Sequence, residues 1–166
     1  MPVSRTALLQ GMPIFGAVSD DAIAFLLQRA RLTQARAGEA FFREDDAASS
    51  LFVLESGRAE VLKGWQGREL ALRVLGPGDC FGEMSLMDLQ PRSATVVARA
   101  DCVALEIGAD LLWQLCEHDL QQFALIQMNL GREVCRRLRA TDELLFEWQA
   151  RAPGSAPAPA SVAPRG

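Results

Sequence analysis

One stretch of the chain is more informative than any other, and it reads Phe81-Gly82-Glu83-Met84-Ser85-Leu86-Met87-Asp88-Leu89-Gln90-Pro91-Arg92-Ser93-Ala94-Thr95. Gly82 lets the backbone approach a ligand closely, and a short helical turn is predicted to begin near Glu83. The first turn of a helix offers free backbone N–H groups and the positive end of the helix dipole, so it favours a phosphate. Arg92 adds a planar guanidinium that can bind two oxygens of the same phosphate. The stretch therefore predicts a pocket for a sugar phosphate.

An acidic side chain, Glu83, lies in the same turn and would repel a phosphate if it pointed at one. A carboxylate accepts hydrogen bonds from neutral donors, so we expect Glu83 to accept one from a ribose hydroxyl. The alternative is that Glu83 and Arg92 form only a structural ion pair between two strands. The ordered combination with Gly82, Pro91 and Thr95 favours the binding interpretation.

These residues resemble the phosphate-binding cassette of the cyclic nucleotide-binding domain. That pattern is roughly Phe-Gly-Glu, Leu or Met, Ala or Ser, and Leu, followed after a short loop by Pro-Arg, a small residue and Ala-Thr-Val. The match here is unbroken. The resemblance implies that Glu83 holds the ribose 2′-hydroxyl and Arg92 the exocyclic phosphate oxygens, while the amides around Met84 and Ser85 bind the rest of the phosphate. The implied ligand is a cyclic mononucleotide, and no cofactor is expected.

Composition predicts one soluble domain. The chain has 166 residues, 49% of them hydrophobic, with a net charge of −4. No segment approaches the roughly 18 uninterrupted apolar residues of a membrane span, and the first residues lack the apolar run of a secretory signal. We therefore expect a cytoplasmic protein with no membrane partner. The cysteines are widely spaced, without a Cys-x-x-Cys pair, which predicts reduced core thiols and no metal site: Cys80, Cys102, Cys116 and Cys135.

Hydrophobic periodicity divides the chain into a helical entry, a strand-rich middle and a helical end. Residues 6–30 carry apolar positions at helical spacing, with Ser19 as a helix cap. Residues 32–107 contain short segments rich in Val, Leu and Phe, separated by glycines, which is typical of a barrel or sandwich. The predicted fold class is α+β, an antiparallel β-barrel or jelly roll (double-stranded β-helix) flanked by an N-terminal helical segment and a long C-terminal helix. The resemblance places strands before and after Gly57.

The helical end consists of a short segment, 109–116, and a long helix over 120–148. Its apolar positions include alternating steps of four and three, which is the a/d spacing of a coiled coil: Val134, Leu138, Thr141, Leu145 and Trp148. A separate set is expected to face the core of its own subunit: Phe123, Ala124, Leu130 and Leu138. We therefore predict a homodimer through this helix, and the alternative is that the stripe packs within one subunit.

The resemblance also gives the long helix a role at the ligand, because the last helix of the family closes over the base as a lid. Residues 136–143 are similar to this lid in regulators of the catabolite-activator type. Arg137 would face Glu83 and the phosphate edge, Thr141 would hydrogen-bond the base amino group, and Asp142 would reach the partner subunit's pocket. Asp142 departs from the serine of those regulators, and a carboxylate accepts hydrogen bonds but cannot donate them.

The identity of the base follows less directly from the sequence. Val61 and Leu72, on facing strands, are candidates for an apolar wall beside the base. A hydroxyl at Ser93 can contact the phosphate or, in cyclic-GMP-selective relatives, the guanine amino group. Thr141 matches an adenine contact, so cyclic AMP is the expected ligand and cyclic GMP stays open.

Residues 1–149 are predicted to form the cyclic nucleotide-binding domain, and 150–166 a disordered tail rich in alanine and proline. Regulators of the catabolite-activator type continue here with a winged helix, so the tail and the net charge predict no direct DNA binding. Three function classes remain: a stand-alone receptor acting through an unknown downstream protein, a ligand-free interaction scaffold, and an enzyme. An enzyme is not expected, because the lone His118 has no accompanying nucleophile motif.

Overall fold

The N-terminal part of the molecule is helical. The structure is a computed structural model that describes residues 4–151. Helix α1 (Arg5–Gln10) and helix α2 (Asp20–Arg29) are joined through a single-turn 3₁₀ helix, Pro13–Phe15. The predicted cap is confirmed, because the Ser19 side chain accepts a hydrogen bond from the Ala22 amide at 3.2 Å and satisfies a free N–H of the first turn.

Eight strands follow and form two four-stranded antiparallel sheets. They are β1 (Arg31–Ala35), β2 (Ala40–Phe42), β3 (Ser50–Ser56), β4 (Ala59–Trp65), β5 (Arg68–Leu75), β6 (Cys80–Phe81), β7 (Thr95–Ala98) and β8 (Cys102–Gly108). The strand orders are β1-β8-β3-β6 and β2-β7-β4-β5. Side chains from both sheets form one shared core, which is the arrangement of a jelly roll. The predicted fold class is confirmed.

Strand β3 shows how one stretch of sequence serves two cores. Its alternate residues Phe52 and Leu54 pack between the sheets, while Leu51 and Val53 face the helices. Successive side chains of a strand point to opposite faces, so a strand buried on both sides reads as an unbroken apolar run. This strand holds the two layers together and begins at Ser50, next to the candidate site.

Three helices complete the fold: α3 (Glu83–Asp88), α4 (Ala109–His118) and α5 (Leu120–Arg151). Helix α5 packs on the helical core through Ile126 and Leu130. The predicted inward set is wrong at two positions, because Ala124 is exposed and Leu138 is 60% exposed. The helix leaves the core after Glu133, and Ile126 takes the inward position instead.

The C-terminal boundary and the cysteines also differ in part from expectation. Helix α5 continues to Arg151, two residues into the predicted tail, and residues 152–166 lie outside the described part of the chain. Cys80 and Cys102 are buried, but Cys135 is exposed on α5 and is not a core thiol. Between residues 4 and 151, no helix is both long and apolar enough to span a bilayer.

Two local predictions can be compared with the structure. Gly57, between β3 and β4, has φ = +92°, and a Cβ atom there would lie 2.4 Å from the Asp101 carbonyl oxygen. Only glycine fits this position. His118 is the last residue of α4, at the connection to α5. Its ring stacks on that of Phe25 with centroids 4.8 Å apart. Within residues 4–151, no cluster of three or more His, Cys, Asp or Glu side chains is arranged to hold a metal ion.

Candidate functional site

The turn between β6 and α3 brings the backbone very close to an arginine. Gly82 precedes α3 with φ = +79°, and a Cβ atom at this position would lie 2.5 Å from Nη1 of Arg92. A side chain here would meet both an unfavourable backbone conformation and a steric clash. The glycine predicted for close approach is therefore required by the guanidinium of Arg92 as well as by the turn.

Arg92 is buried, with only 4% of its surface exposed. Its Nη1 donates to the carbonyl oxygens of Ser50 and Gly82 at 2.7 and 3.0 Å, and its Nη2 donates to the Ser50 hydroxyl at 3.2 Å. The guanidinium carbon lies 4.0 Å from the centroid of the Phe42 ring, in the range of a cation–π contact. Hydrogen bonds at both terminal nitrogens and the Phe42 ring against one face hold the guanidinium in place.

The Nε atom of Arg92 has no hydrogen-bond partner. Among residues 4–151 it is the one buried side-chain nitrogen or oxygen atom in this state. An unpaired buried donor costs free energy, and a bound ligand, ion or water molecule would supply the missing partner. Burial lowers the pKa of Arg92, while the negative charges of Glu106, Asp46 and Glu83 oppose this effect. The site therefore keeps a desolvated cation whose Nε–H has no partner.

Glu83 is 3% exposed, and its Oε1 accepts a hydrogen bond from Nη1 of Arg137 on α5. Arg137 also donates to the Cys80 carbonyl at 3.1 Å and to Glu133 at 2.8 Å. The alternative of a structural Glu83–Arg92 ion pair is not what the structure contains, since the two side chains have separate partners. The predicted approach of Arg137 to Glu83 is present.

These side chains surround a cavity of about 90 Å³. Its lining comes from the cassette, the second sheet and α5: Phe42, Val61, Arg73, Phe81, Gly82, Glu83, Met84, Ser85, Arg92, Ser93, Ala94, Val96 and Arg137. An adjacent cleft of about 320 Å³ is lined by Glu83, Met84, Val134, Arg137, Leu138 and Thr141. The Glu83–Arg137 ion pair borders both spaces, so a ligand that filled them together would contact this pair.

Most of the predicted site residues are brought together, but two are not. Gly82, Glu83, Met84, Ser85, Arg92, Ser93, Val61 and Arg137 line the cavity, and Thr141 lines the adjacent cleft. Asp142 is exposed and lines neither space, so its role in a partner subunit stays a prediction.

Leu72 lies outside the cavity, with 62% of its surface exposed. Val61 pairs with Arg73 and Leu62 with Ala71, so Leu72 is the extra residue of an irregularity in the β4–β5 pairing. Such a bulge re-aims neighbouring side chains. Arg73 lines the cavity in place of Leu72, and its pKa is lowered by burial and by the positive charge of Arg137.

Sequence reasoning missed several residues of the site. Arg73 and Phe42 line the cavity, Ser50 holds Arg92, and Glu133 binds Arg137. Burial would raise the pKa of Glu133, but hydrogen bonds and charges from Arg136 and Arg137 outweigh burial and lower it. Of these residues, Glu133 had a sequence signal, because residues four apart on a helix are neighbours.

Comparison with known proteins agrees with this geometry. A family model described as "Cyclic nucleotide-binding domain" matches residues 32–119. The cyclic AMP receptor protein of Thermus thermophilus is 31% identical over 135 residues, which cover 81% of this chain and 61% of that protein. The cGMP-dependent protein kinase of Toxoplasma gondii is 44% identical over 75 residues, 45% of this chain and 7% of the kinase.

Similarity of structure leads to the same family. The crystal structure of the Thermus thermophilus catabolite activator protein has a TM-score of 0.73 and 29% identity, covering 82% of this chain and 63% of that one. This chain thus spans less than two thirds of the length of these relatives. The motif, the two-sheet fold and the family model agree, and the chain belongs to the cyclic nucleotide-binding domain family.

Proposed function

We propose that this domain is a receptor for cyclic AMP and that it reports occupancy through movement of α5. The observation that carries the proposal concerns Arg92, a cation that lines the cavity. Its buried Nε has no hydrogen-bond partner. A phosphate oxygen is a strong acceptor for such a donor, and charge-assisted hydrogen bonds of arginine to phosphate are among the strongest in proteins. Gly82 lets Arg92 lie against the turn that begins α3, where the amides of Met84 and Ser85 would bind the rest of the phosphate.

The ribose of the ligand has its acceptor in Glu83. A ribose hydroxyl can donate to this carboxylate, whose Oε1 is bound by Arg137 in the present structure. The two donors then share or compete for one acceptor group. Because Arg137 belongs to α5, binding of the ribose alters the contact that ties the helix to the cassette. This contact gives the cavity a physical connection to the helix.

The base is assigned to the cleft beside α5. Thr141, Val134 and Leu138 line this cleft, and Val61 offers an apolar surface in the adjoining cavity. The Thr141 hydroxyl donates to the Arg137 carbonyl at 3.0 Å, so its oxygen keeps lone pairs that accept from the adenine amino group. Ser93 lines the cavity as well, and a contact from its hydroxyl to a guanine amino group would favour cyclic GMP instead.

The proposed receptor works as a homodimer in the cytoplasm and acts on a downstream protein. The a/d positions Leu138, Leu145 and Trp148 are exposed on α5, and a second copy of the helix would bury them. All four cysteines are free thiols, which suits a reducing compartment. Asp142, on the same helix, would reach toward the partner subunit's ligand.

Titration calorimetry with cyclic AMP and cyclic GMP tests the proposal. The full chain is expected to bind cyclic AMP more tightly than cyclic GMP. The variant Arg92→Ala removes a charge-assisted contact worth about 2–4 kcal/mol in a desolvated site, which is roughly 30- to 1,000-fold in affinity. Arg99→Ala is the matched control, because Arg99 pairs with Glu60 and does not line the cavity.

Two results would contradict the assignment. If the wild-type protein binds neither nucleotide at millimolar concentration, the fold serves as an interaction scaffold. If Arg92→Ala and Arg99→Ala bind equally well, the phosphate contacts some other group. Tighter binding of cyclic GMP would instead indicate that the Ser93 hydroxyl contacts the guanine amino group.

A further inference from the structure

Arg92 is linked through a serine hydroxyl to a second charged residue behind the cavity. Its Nη2 donates to Oγ of Ser50 at 3.2 Å, and this hydroxyl donates to Oε1 of Glu106 at 2.9 Å. Oε2 of Glu106 accepts from the Thr33 hydroxyl at 3.0 Å. The hydrogen bonds run in one direction, from the cation through the hydroxyl to the carboxylate, and each one polarises the next.

Three strands of the first sheet supply this chain of contacts. Ser50 begins β3, Glu106 lies on β8 and Thr33 on β1, and the three strands are neighbours in the sheet. Glu106 pairs with Phe52 and Arg31, so Ser50 and Thr33 are each two residues from its direct partners. Diagonal neighbours of this kind on one face are within reach of long side chains. The relay therefore rests on regular sheet pairing.

The contacts on Arg92 are distributed unevenly over its donors. A guanidinium has five N–H groups, and the three contacts to Ser50 and Gly82 all use the terminal nitrogens. Nε is left without a partner. The ring of Phe42 covers one face of the group. The protein thus fixes the guanidinium through its terminal nitrogens, and the Nε–H and one N–H of Nη2 remain unpaired.

Glu106 adds a charge to this arrangement. It opposes the effect of burial on the pKa of Arg92 more strongly than Asp46 or Glu83 does. Glu106 also lines a separate cavity of about 260 Å³ together with Arg29, Arg31 and Ser50.

We propose that Ser50 and Glu106 are positioning residues for the ligand-binding arginine, holding the guanidinium of Arg92 in place at the cavity that would take the phosphate. The inference rests on the proposed function for its ligand, but the geometry of Arg92 exists without one. Ser50 and Glu106 act through Arg92 and do not touch the nucleotide themselves.

Binding of cyclic AMP to four variants gives the first test. Ser50→Ala removes a hydrogen bond to a charged group, and a loss of about tenfold in affinity is expected. Ser50→Thr keeps the hydroxyl and should restore affinity to within about twofold. Glu106→Gln keeps an acceptor but removes the charge, and a loss of about threefold in affinity is expected. Thr33→Val, the matched control, removes the other hydroxyl on Glu106 and should change affinity less than twofold.

Nitrogen NMR of the ligand-free protein gives the second test. The Arg92 Nε–H signal, assigned by its loss in Arg92→Lys, is expected to exchange slowly with water in the wild type and in Ser50→Thr. In Ser50→Ala the exchange should be about tenfold faster, because the guanidinium is released from one side. Addition of cyclic AMP to the wild type should shift this signal, since Nε gains a partner.

The two tests separate the inference from the proposed function. If the wild type binds no cyclic nucleotide, the proposed function fails, and the ligand-free exchange rates still decide whether Ser50 positions Arg92. Equal exchange rates in the wild type and Ser50→Ala would overturn the inference whatever the ligand. A loss of affinity in Thr33→Val as large as that in Ser50→Ala would also overturn it, because the effect would then come from general weakening of the sheet.

Discussion

The ion pair between Arg137 and Glu83 gives the sharpest prediction about stability. Arg137→Ala leaves a carboxylate that is 3% exposed without the cation that binds it. Breaking a buried ion pair by removing one partner costs about 3–5 kcal/mol. The Arg137 side chain is itself one quarter exposed, and solvent screening reduces the cost to about 2–3 kcal/mol. For a chain of this size the melting temperature should fall by about 5–10 °C.

Arg136→Ala is the matched control for this change. Arg136 binds Glu133, as Arg137 does, but its side chain is 70% exposed and it does not reach Glu83. An exposed pair contributes about 1 kcal/mol or less. Thermal denaturation followed by circular dichroism should therefore give a small shift for Arg136→Ala and a large one for Arg137→Ala.

A second change identifies the carboxylate as the cause. Glu83→Gln in the Arg137→Ala background replaces the unpaired charge with a neutral amide, so at least half of the lost stability should return. The reasoning is refuted if the two arginine variants have the same melting temperature. It is also refuted if the double variant is no more stable than Arg137→Ala, because the burial of an unpaired Glu83 would then cost nothing.

Three further predictions concern the helix, pH and the ribose. Leu145→Glu places like charges in the a/d seam, so light scattering should show a monomer where the wild type is a dimer; a wild-type monomer would contradict this. The pKa of Glu133 is lower in the folded protein than its ordinary value of 4.5. The stabilisation from Glu133 is therefore fully present above pH 4.5 and is lost as the pH falls through the pKa of the folded protein. Melting temperatures from pH 7 to 3 should therefore fall less steeply in Glu133→Gln. A 2′-deoxy cyclic nucleotide should bind the wild type about tenfold more weakly than the parent and lose little further affinity in Glu83→Gln; equal binding of the two ligands to the wild type would remove the ribose role.

The cassette could be predicted because its devices are local in sequence. Gly82, Glu83 and Arg92 lie within eleven residues of each other, and the turn, the helix start and the guanidinium each have a mechanism that depends on residue type. What holds Arg92 could not be predicted in this way. Ser50 is 42 residues away from Arg92. No sequence pattern indicates which residue a serine at the start of a strand will bind.

The error at Leu72 came from a shift in strand register. Alternation along β5 places Leu72 and Arg73 on opposite faces, and one extra residue exchanges which of them faces a given side. The pairing of Val61 with Arg73 is a property of the folded hairpin. Periodicity alone therefore predicts that one of two adjacent residues lines the cavity but does not choose between them.

The error on α5 has a different physical origin. A helical stripe of apolar residues predicts a buried face for as long as the core extends, and the core here ends near Glu133. Leu138 continues the spacing beyond that point and is exposed. The end of the core depends on where the elements that α5 packs against end, namely α4, the 3₁₀ helix and α3, and no local pattern contains this.

The two charged residues of the cassette are held from opposite sides, and this has a consequence for the proposed receptor. Arg92 is held by β3 and, through Ser50, by β8, and its Nε is already free. A phosphate bound at this Nε would displace no hydrogen bond of the protein. Glu83 is occupied by Arg137, so a ribose must share or replace that contact. In the proposed receptor the phosphate contact would therefore contribute mainly to affinity, whereas the ribose contact would be the one that changes the position of α5, since a ligand shifts a conformation only through contacts that differ between the two states.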